Sequence, residues 1–368
     1  MAPFFIMEYR SSPSMKPFES LRFLELGEAP LVKRLFPGQT DFFNTAPRRA
    51  WGSEPYPTLG VSQLAEKLGA GAVDLVVLQP ASHAPWHPLS LIRTFFNRRS
   101  FTSQLMPHRP FGPALLRLLR ETPLAVLDYS DVPYIEPGKL HLLDRSTLYF
   151  KRELPADQWK LFTKTATPTQ PSQRFRRKSR YGALLGKLRP ISLGLPLDSE
   201  SDFPAGPLEK TADLFFAGTV EDMPVRQRAL AELETLAAEG IVIDRPREKI
   251  DRPAFYRRCG AAWLTLSPEG FGWDCFRHYE AAACGSVPLM NMPGIVRHAP
   301  YTEGVDALFY PPEPGGLARV VRKALADRQA LSRIGEAARA HVMRHHTTEA
   351  IMRYVIEETL AAASALRK

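Results

Sequence analysis

The feature that most constrains this 368-residue chain is an alternation of short apolar runs with helix-length segments, which occurs twice with a polar break between. In the first stretch a helix-like Val61–Gly69 precedes the run Asp74–Gln79, and helical segments at Pro88–Arg98 and Pro113–Arg120 precede Leu124–Asp128. Strand candidates at Thr147–Lys151 and Ile191–Leu195 follow. After the proline-flanked Asp198–Pro207 the alternation restarts, with strands expected at Asp213–Ala217, Ile241–Asp244, Ala261–Leu266 and Val287–Asn291. Helices are expected at Val225–Ala238, Pro253–Cys259, Asp274–Cys284, Gly316–Ala326, Leu331–Arg344 and Thr348–Leu366. Strands separated by helices in this way build parallel sheets from βαβ units. The expected fold is therefore α/β, with an N-terminal domain over 1–200, a C-terminal domain over 201–345 and a terminal helix over 346–368 that can return to the first domain. Two such sheets bind ligands in the crevice beyond the carboxyl ends of their strands. The first sixty residues show little periodicity beyond Leu21–Leu26.

Charge narrows the partners. The net charge of +9 equals the nine basic residues lying between Asp157 and Asp198, a span without a single acidic one. A nucleic-acid binder usually spreads its basic residues over several elements, so nucleic acid is not the expected partner. Arg174, Arg176, Arg177, Lys178 and Arg180 suit instead an anionic membrane surface, an acceptor phosphate or a solvated loop. Three cysteines without a C-x-x-C pair argue against a disulfide framework or zinc knuckle. With neither a signal-like start nor a long apolar run, the expected location is the cytoplasm, including its membrane face.

Chemistry concentrates in Leu264–Met290. A buried strand runs into a loop containing Glu269, Gly270, Phe271 and Gly272, and a helix follows with Arg277 and Glu280 one turn apart. Glycines let the backbone approach a ligand, a helix start favours an anion, and a guanidinium can fork onto a diphosphate. The alternative is an Arg277–Glu280 pair on a solvated helix face.

The order Ser267, Glu269-Gly270-Phe271-Gly272, Arg277, Glu280-Ala281 and Gly285-Ser286-Val287-Pro288 resembles the donor signature of GT-B-fold glycosyltransferases, and its Arg-x-x-Glu-Ala form resembles the exostosin-like and spore-maturation branch. The likeness covers about residues 210–350, with Phe216-x-Gly218, Arg226 and Arg228 upstream and His346-Thr347-Thr348 downstream. It extends in part to Asp128-x-x-Asp131 and Phe150-Lys151-Arg152-Glu153. It implies GT-B architecture, two Rossmann-like domains facing a cleft, and transfer of a sugar from a nucleotide-sugar to a glycan, lipid-linked or protein acceptor in bacterial glycoconjugate synthesis. The donor residues it implies are Gly218, Arg226, Arg228, Glu269, Gly270, Phe271, Gly272, Arg277 and Glu280. No metal or other cofactor is implied, in keeping with the lack of an Asp-x-Asp triplet. One departure stands out: ten residues separate Glu269 from Glu280, where the common signature has seven, and this bears on Glu269 and on the stereochemistry.

An inverting reaction needs a general base near the acceptor hydroxyl. Loops after the first-domain strands supply Asp131 and His83, beside Asp128 and His87, although carboxylates at strand ends also cap turns. His345 and His346, at a helix junction, are expected to make capping or interdomain contacts. Competing functions are a nucleotide-sugar epimerase on the same scaffold and a nucleic-acid binder using 174–189.

Overall fold

The computed structural model describes residues 16–44, 73–80, 122–135, 139–164, 180–197, 199–220 and 223–366, with short pieces at 63, 66 and 174–175. The expected helices at 88–98 and 113–120 lie outside them, as do His83 and His87.

Two parallel sheets organise the described residues. The first contains β1 (Phe23–Gly27), β2 (Thr40–Asn44), β3 (Leu75–Leu78), β4 (Leu124–Asp128), β5 (Leu148–Lys151) and β6 (Leu188–Pro190), in the order β2-β1-β3-β4-β5-β6. A short helix α1 (Leu31–Leu35) links β1 to β2, and α2 (Leu140–Arg145) precedes β5. The second sheet contains β7 (Ala212–Phe215), β8 (Ile243–Asp244), β9 (Ala262–Leu266), β10 (Val287–Asn291) and β11 (Leu308–Tyr310), in the order β8-β7-β9-β10-β11. Its helices are α3 (Pro224–Ala238), α4 (Arg252–Gly260), α5 (Phe276–Ala283), α6 (Gly316–Leu325) and α7 (Arg328–His345), and the terminal helix is α8 (Thr348–Leu366).

Apolar residues on both strand faces produce this layering. In the first sheet Leu24, Leu26, Val76, Leu78, Leu124 and Val126 enter one core, while Phe23, Leu75, Val77, Ala125, Leu127 and Phe150 enter the other. Successive side chains point to opposite faces, so such strands are buried on both sides. The second core includes Ile351, Met352, Val355 and Ile356 from α8. At about 1.5–3 kcal/mol for each fully buried apolar side chain, those four anchor the end of the chain on the sheet built by its beginning.

The run Ile191–Leu195 is not a strand. Pairing with β5 ends at Pro190, and the following residues cross to the second half as a connector. Ile191 packs in the first sheet's core and Leu195 against Trp273 and Tyr279, so burial between two cores makes the segment apolar. There the Leu195 N–H donates to the His346 carbonyl at 2.8 Å, and Ser192 Oγ lies 2.9 Å from His346 Nδ1.

Candidate active site

In each sheet the first and third strands in chain order are neighbours and the second lies outside them, so the connections diverge between β1 and β3 and between β7 and β9. A ligand crevice forms beyond the strand ends at such a point. In the second sheet this places residues 216–219 beside the loop that follows β9, and α5 starts at the crevice.

Arg277 is the central group there. Its Nε and Nη1 are buried and have no hydrogen-bond partner among the described residues, and its guanidinium carbon lies 5.3 Å from the Phe216 ring centroid. A buried cation without an anion is costly. Gly218 makes room for it: a Cβ there would stand 2.2 Å from Arg277 Nη2. Glu280 does not take up the guanidinium in an ion pair, and it accepts a hydrogen bond from the Tyr256 hydroxyl at 3.0 Å. Burial raises its carboxyl above the ordinary range, against the pull of Tyr256 and of the nearby Arg277 charge.

Arg226 is buried and held by two backbone carbonyls. Its Nε donates to the Glu269 carbonyl at 2.9 Å and its Nη1 to the Thr219 carbonyl at 2.7 Å, which ties the loops after β7 and β9 together. Arg228 is exposed and donates to the Pro312 carbonyl. Glu269 is held by Asn291, whose Oδ1 accepts the Glu269 N–H at 2.8 Å and whose Nδ2 donates to Glu269 Oε2 at 2.9 Å. Gly270 donates its N–H to the Gly272 carbonyl, which tightens the loop, and Phe271 at its tip is 66% exposed.

Helix α5 begins at Phe276, two residues later than the sequence suggests. Cys275 caps it without a side-chain hydrogen bond to the helix. Its Sγ lies 3.5 Å from Ser267 Oγ and 3.6 Å from His278 Nδ1. His278 Nε2 faces the Trp273 carbonyl at 2.7 Å, and a carbonyl only accepts, so that nitrogen carries the proton and Nδ1 faces Ser267 and Cys275. Burial alone would raise the Cys275 thiol. The His278 imidazole, the Arg277 charge and the Ser267 hydroxyl outweigh it and bring the thiol down to about 6.

Two clefts meet here. A smaller one, about 460 Å³, is lined by Lys249, Arg252, Phe255, Cys275, Arg277 and Glu280. A larger one, about 640 Å³, runs between the halves, with Gln79, Asp128 and Asp131 on one side and Arg252, Phe276 and Glu280 on the other. Glu280 borders both.

The expected acidic groups of the first half are engaged in ion pairs. Asp128 is buried, accepts from the Tyr149 hydroxyl at 2.8 Å and lies 3.5 Å from Lys151 Nζ. Burial would raise its carboxyl, and Lys151 leads the charges that hold it below the ordinary range instead. Asp131 lines the larger cleft with its carboxylate paired to Arg152. Of the basic segment, Arg174 lies in a two-residue strand paired with Thr163 and Lys164, and Arg180 opens a one-turn helix, while Arg176, Arg177 and Lys178 fall outside the described residues. Among the described residues no helix is long and apolar enough to cross a membrane, and no group of three or more His, Cys, Asp or Glu is placed to hold a metal.

Residues 233–357 match the glycosyl transferase-like family. Over nearly its whole length the chain also superimposes on a glycosyltransferase from Rickettsia africae, at 10% identity and a TM-score of 0.51, covering 93% of this chain and 99% of that one. The chain has the GT-B fold, and its 233–357 segment is glycosyl transferase-like. An alpha-glucosyltransferase solved with UDP and a 13-mer DNA containing a central A:G mismatch shares this fold, at 8% identity and a TM-score of 0.50, covering 92% of this chain and 100% of that one. No curated protein sequence matches it.

Sequence reasoning missed Tyr256, Asn291 and His278 as supports of this crevice. Asn291 closes the run Val287–Asn291, and a polar residue ending an otherwise apolar buried strand was the available signal.

Proposed function

We propose that the protein is a glycosyltransferase that takes its sugar from a nucleotide-sugar bound in the crevice of the second half, and passes it to an acceptor hydroxyl in the larger cleft. The observation that carries this is Arg277, a half-buried guanidinium with two buried, unpaired donor atoms at a helix start. An anion completes such a group, and the diphosphate of a nucleotide-sugar is an anion of the right kind. The alpha-glucosyltransferase of similar fold was solved with UDP, which supports the same donor class here.

In transfer, the bond from the sugar's anomeric carbon to the diphosphate oxygen breaks, a bond to the acceptor oxygen forms, and the acceptor proton leaves to a base. Negative charge grows on the diphosphate, and a fixed cation in a water-poor site stabilises it without reorganising. Arg277 fills that role. Glu280, at the meeting of the clefts, receives ribose or sugar hydroxyls, and the backbone of Gly218, Glu269, Gly270, Phe271 and Gly272 shapes the approach. Arg226 acts by joining the two loops, and Arg228 stays outside the reacting groups. Asp131 sits where a base is required, but it would have to part from Arg152 to serve. A glycan, lipid-linked glycan or protein suits the acceptor side, with the basic segment 174–180 as a contact to an anionic membrane face.

The test is release of nucleoside diphosphate from UDP-, GDP- and ADP-sugars, with and without candidate acceptors. Release that rises with acceptor and is lost in Arg277→Ala supports transfer. Sugar interconversion without release favours an epimerase, and Arg277→Ala turnover equal to the unaltered enzyme sinks the assignment.

A further inference from the structure

The sequence Phe150-Lys151-Arg152-Glu153 leaves β5 at its carboxyl end, and the donor and acceptor roles above use none of it. Phe150 is buried in the first sheet's core, and Lys151 is buried between Asp128 and the Ser130 hydroxyl and carbonyl. The next two residues cross the cleft. Glu153 Oε2 accepts the Trp273 N–H at 3.0 Å and Oε1 the Asp274 N–H at 2.9 Å, with the side chain 4% exposed. Arg152 donates to the Asp274 carbonyl, to the Asp131 carboxylate and, at 3.2 Å, to the Tyr129 carbonyl. Its Nε stands 3.5 Å from Asp274 Oδ2. That same oxygen accepts the Leu193 N–H at 2.8 Å from the connector.

We propose that Arg152 and Glu153 are positioning residues that clasp the 272–274 loop to the first half and thereby set the placement of Arg277 and Glu280. The inference rests on the reading of this crevice as the donor site. Three observations converge on it. The loop is longer than the glycosyltransferase signature it resembles, ten residues between the glutamates against seven, and the length beyond Gly272 is where it reaches Glu153. Gly272 has no room for a side chain, because a Cβ there would stand 2.5 Å from Glu153 Oε1. And the clasped residues lead to both donor glutamates. The Trp273 indole Nε1 donates to the Asn291 carbonyl at 2.9 Å, and Asn291 holds Glu269, while Asp274 leads through the Cys275 cap into α5 with Arg277 and Glu280.

Breaking one partner of a buried charged set leaves the others uncompensated. The clasp therefore acts as one unit, and its loosening is felt at α5.

The test uses the full chain, with UDP as the probe nucleotide and Glu153→Gln as the first variant, since an amide keeps the size but offers one acceptor where two N–H groups need two. Backbone hydrogen exchange at Trp273 and Asp274 is expected to speed up at least tenfold, and UDP affinity to fall roughly tenfold, the equivalent of one modest hydrogen bond. In an Arg277→Ala background the effect of Glu153→Gln on affinity is expected to shrink to less than half of its tenfold size, the non-additivity of residues acting through one another, with the remainder carried by Glu280. Asp131→Asn, which alters the half-exposed end of the clasp, gives the same direction at smaller size if the first variant does not fold. Unchanged exchange in both variants overturns the clasp, and faster exchange with unchanged UDP affinity overturns its coupling to the site. Failure of the unaltered chain to bind UDP, GDP or ADP counts against the donor site alone, because the exchange experiment still decides whether the clasp exists.

Discussion

The two halves share a topology and differ in what they do with a helix start. In the first sheet, Glu25 on β1 is fully buried and accepts the N–H groups of Leu31, Val32 and Lys33 at 2.8, 3.1 and 2.9 Å, so α1 is capped by a carboxylate of its own chain. In the second sheet, α5 begins at Phe276 after Cys275 with no side-chain cap, and Arg277 stands in its first turn with unpaired donors. One helix start is closed by a buried carboxyl of its own chain, and the other has no side-chain cap. α1 follows the first strand of its sheet and α5 the third strand of the other, and the two helix starts are closed in different ways.

Removing Glu25 breaks that comparison most severely. Glu25→Ala orphans three N–H groups in the interior, and unfolding free energy is expected to drop by about 3 kcal/mol or more in urea titrations. UDP affinity, set in the other half, is expected to stay within about threefold, a change worth well under 1 kcal/mol. Glu25 also predicts a pH dependence. Burial, only partly offset by its N–H donors, raises its carboxyl to about 7. The folded form then holds a proton that the unfolded chain has released. This contribution is complete below the ordinary carboxylate value and is lost as pH rises through about 7. It amounts to roughly 3 kcal/mol, and Glu25→Gln is expected to flatten that part of the stability curve. A profile of equal slope in Glu25→Gln would count against a buried proton on Glu25.

Arg277→Ala probes the binding half and should act in the opposite sense. Loss of charge-assisted bonds to the diphosphate is expected to weaken UDP by about 10- to 100-fold, or 1.5–3 kcal/mol. The ligand-free chain is expected to be no less stable, because a half-buried cation with two buried, unpaired donor atoms has been removed. Calorimetric titration and thermal unfolding check the pair of outcomes. A chain that loses stability and keeps its UDP affinity would make Arg277 a structural residue like Glu25.

These asymmetries were legible in the sequence to different depths. Ala262–Leu266 and Val287–Asn291 read as strands because burial on both faces makes them continuously apolar. Strand β2, Thr40–Asn44, was missed: it lies at the sheet edge, and Asp41 and Asn44 break its apolar pattern. Ile191–Leu195 misled for the converse reason, since a connector squeezed between two cores is as apolar as a strand. Arg277 and Glu280 could be named because their spacing is local. The partners that fix them, Tyr256 for Glu280 and Phe216 beneath Arg277, lie far away in the chain, and contacts of that range leave no periodicity to read.

A smaller change sharpens the contrast without altering charge. Gly218→Ala puts a methyl group where Arg277 Nη2 now lies, and the guanidinium must swing aside. UDP affinity is expected to fall about tenfold, the worth of one hydrogen bond of middling strength, with the unfolding midpoint nearly unchanged. Full affinity in this variant would show that the guanidinium already binds from another position.

The mildest probe is the thiol at the open helix start. If the α5 terminus, His278 and Arg277 make this crevice anion-seeking, Cys275 should be the first residue to show it, because its own anion is the thiolate. Its rate of alkylation by iodoacetamide is expected to rise with pH around a midpoint near 6 and level off above neutrality, where an ordinary thiol keeps rising through about 8.5. Cys259 and Cys284 are buried and supply only a slow background. Bound UDP should protect Cys275, since Sγ borders the cleft that Arg277 and Glu280 line. A midpoint at the ordinary thiol value would mean that the crevice does not stabilise an anion, and the contrast with the self-capped first half would then lose its electrostatic basis even if UDP still bound.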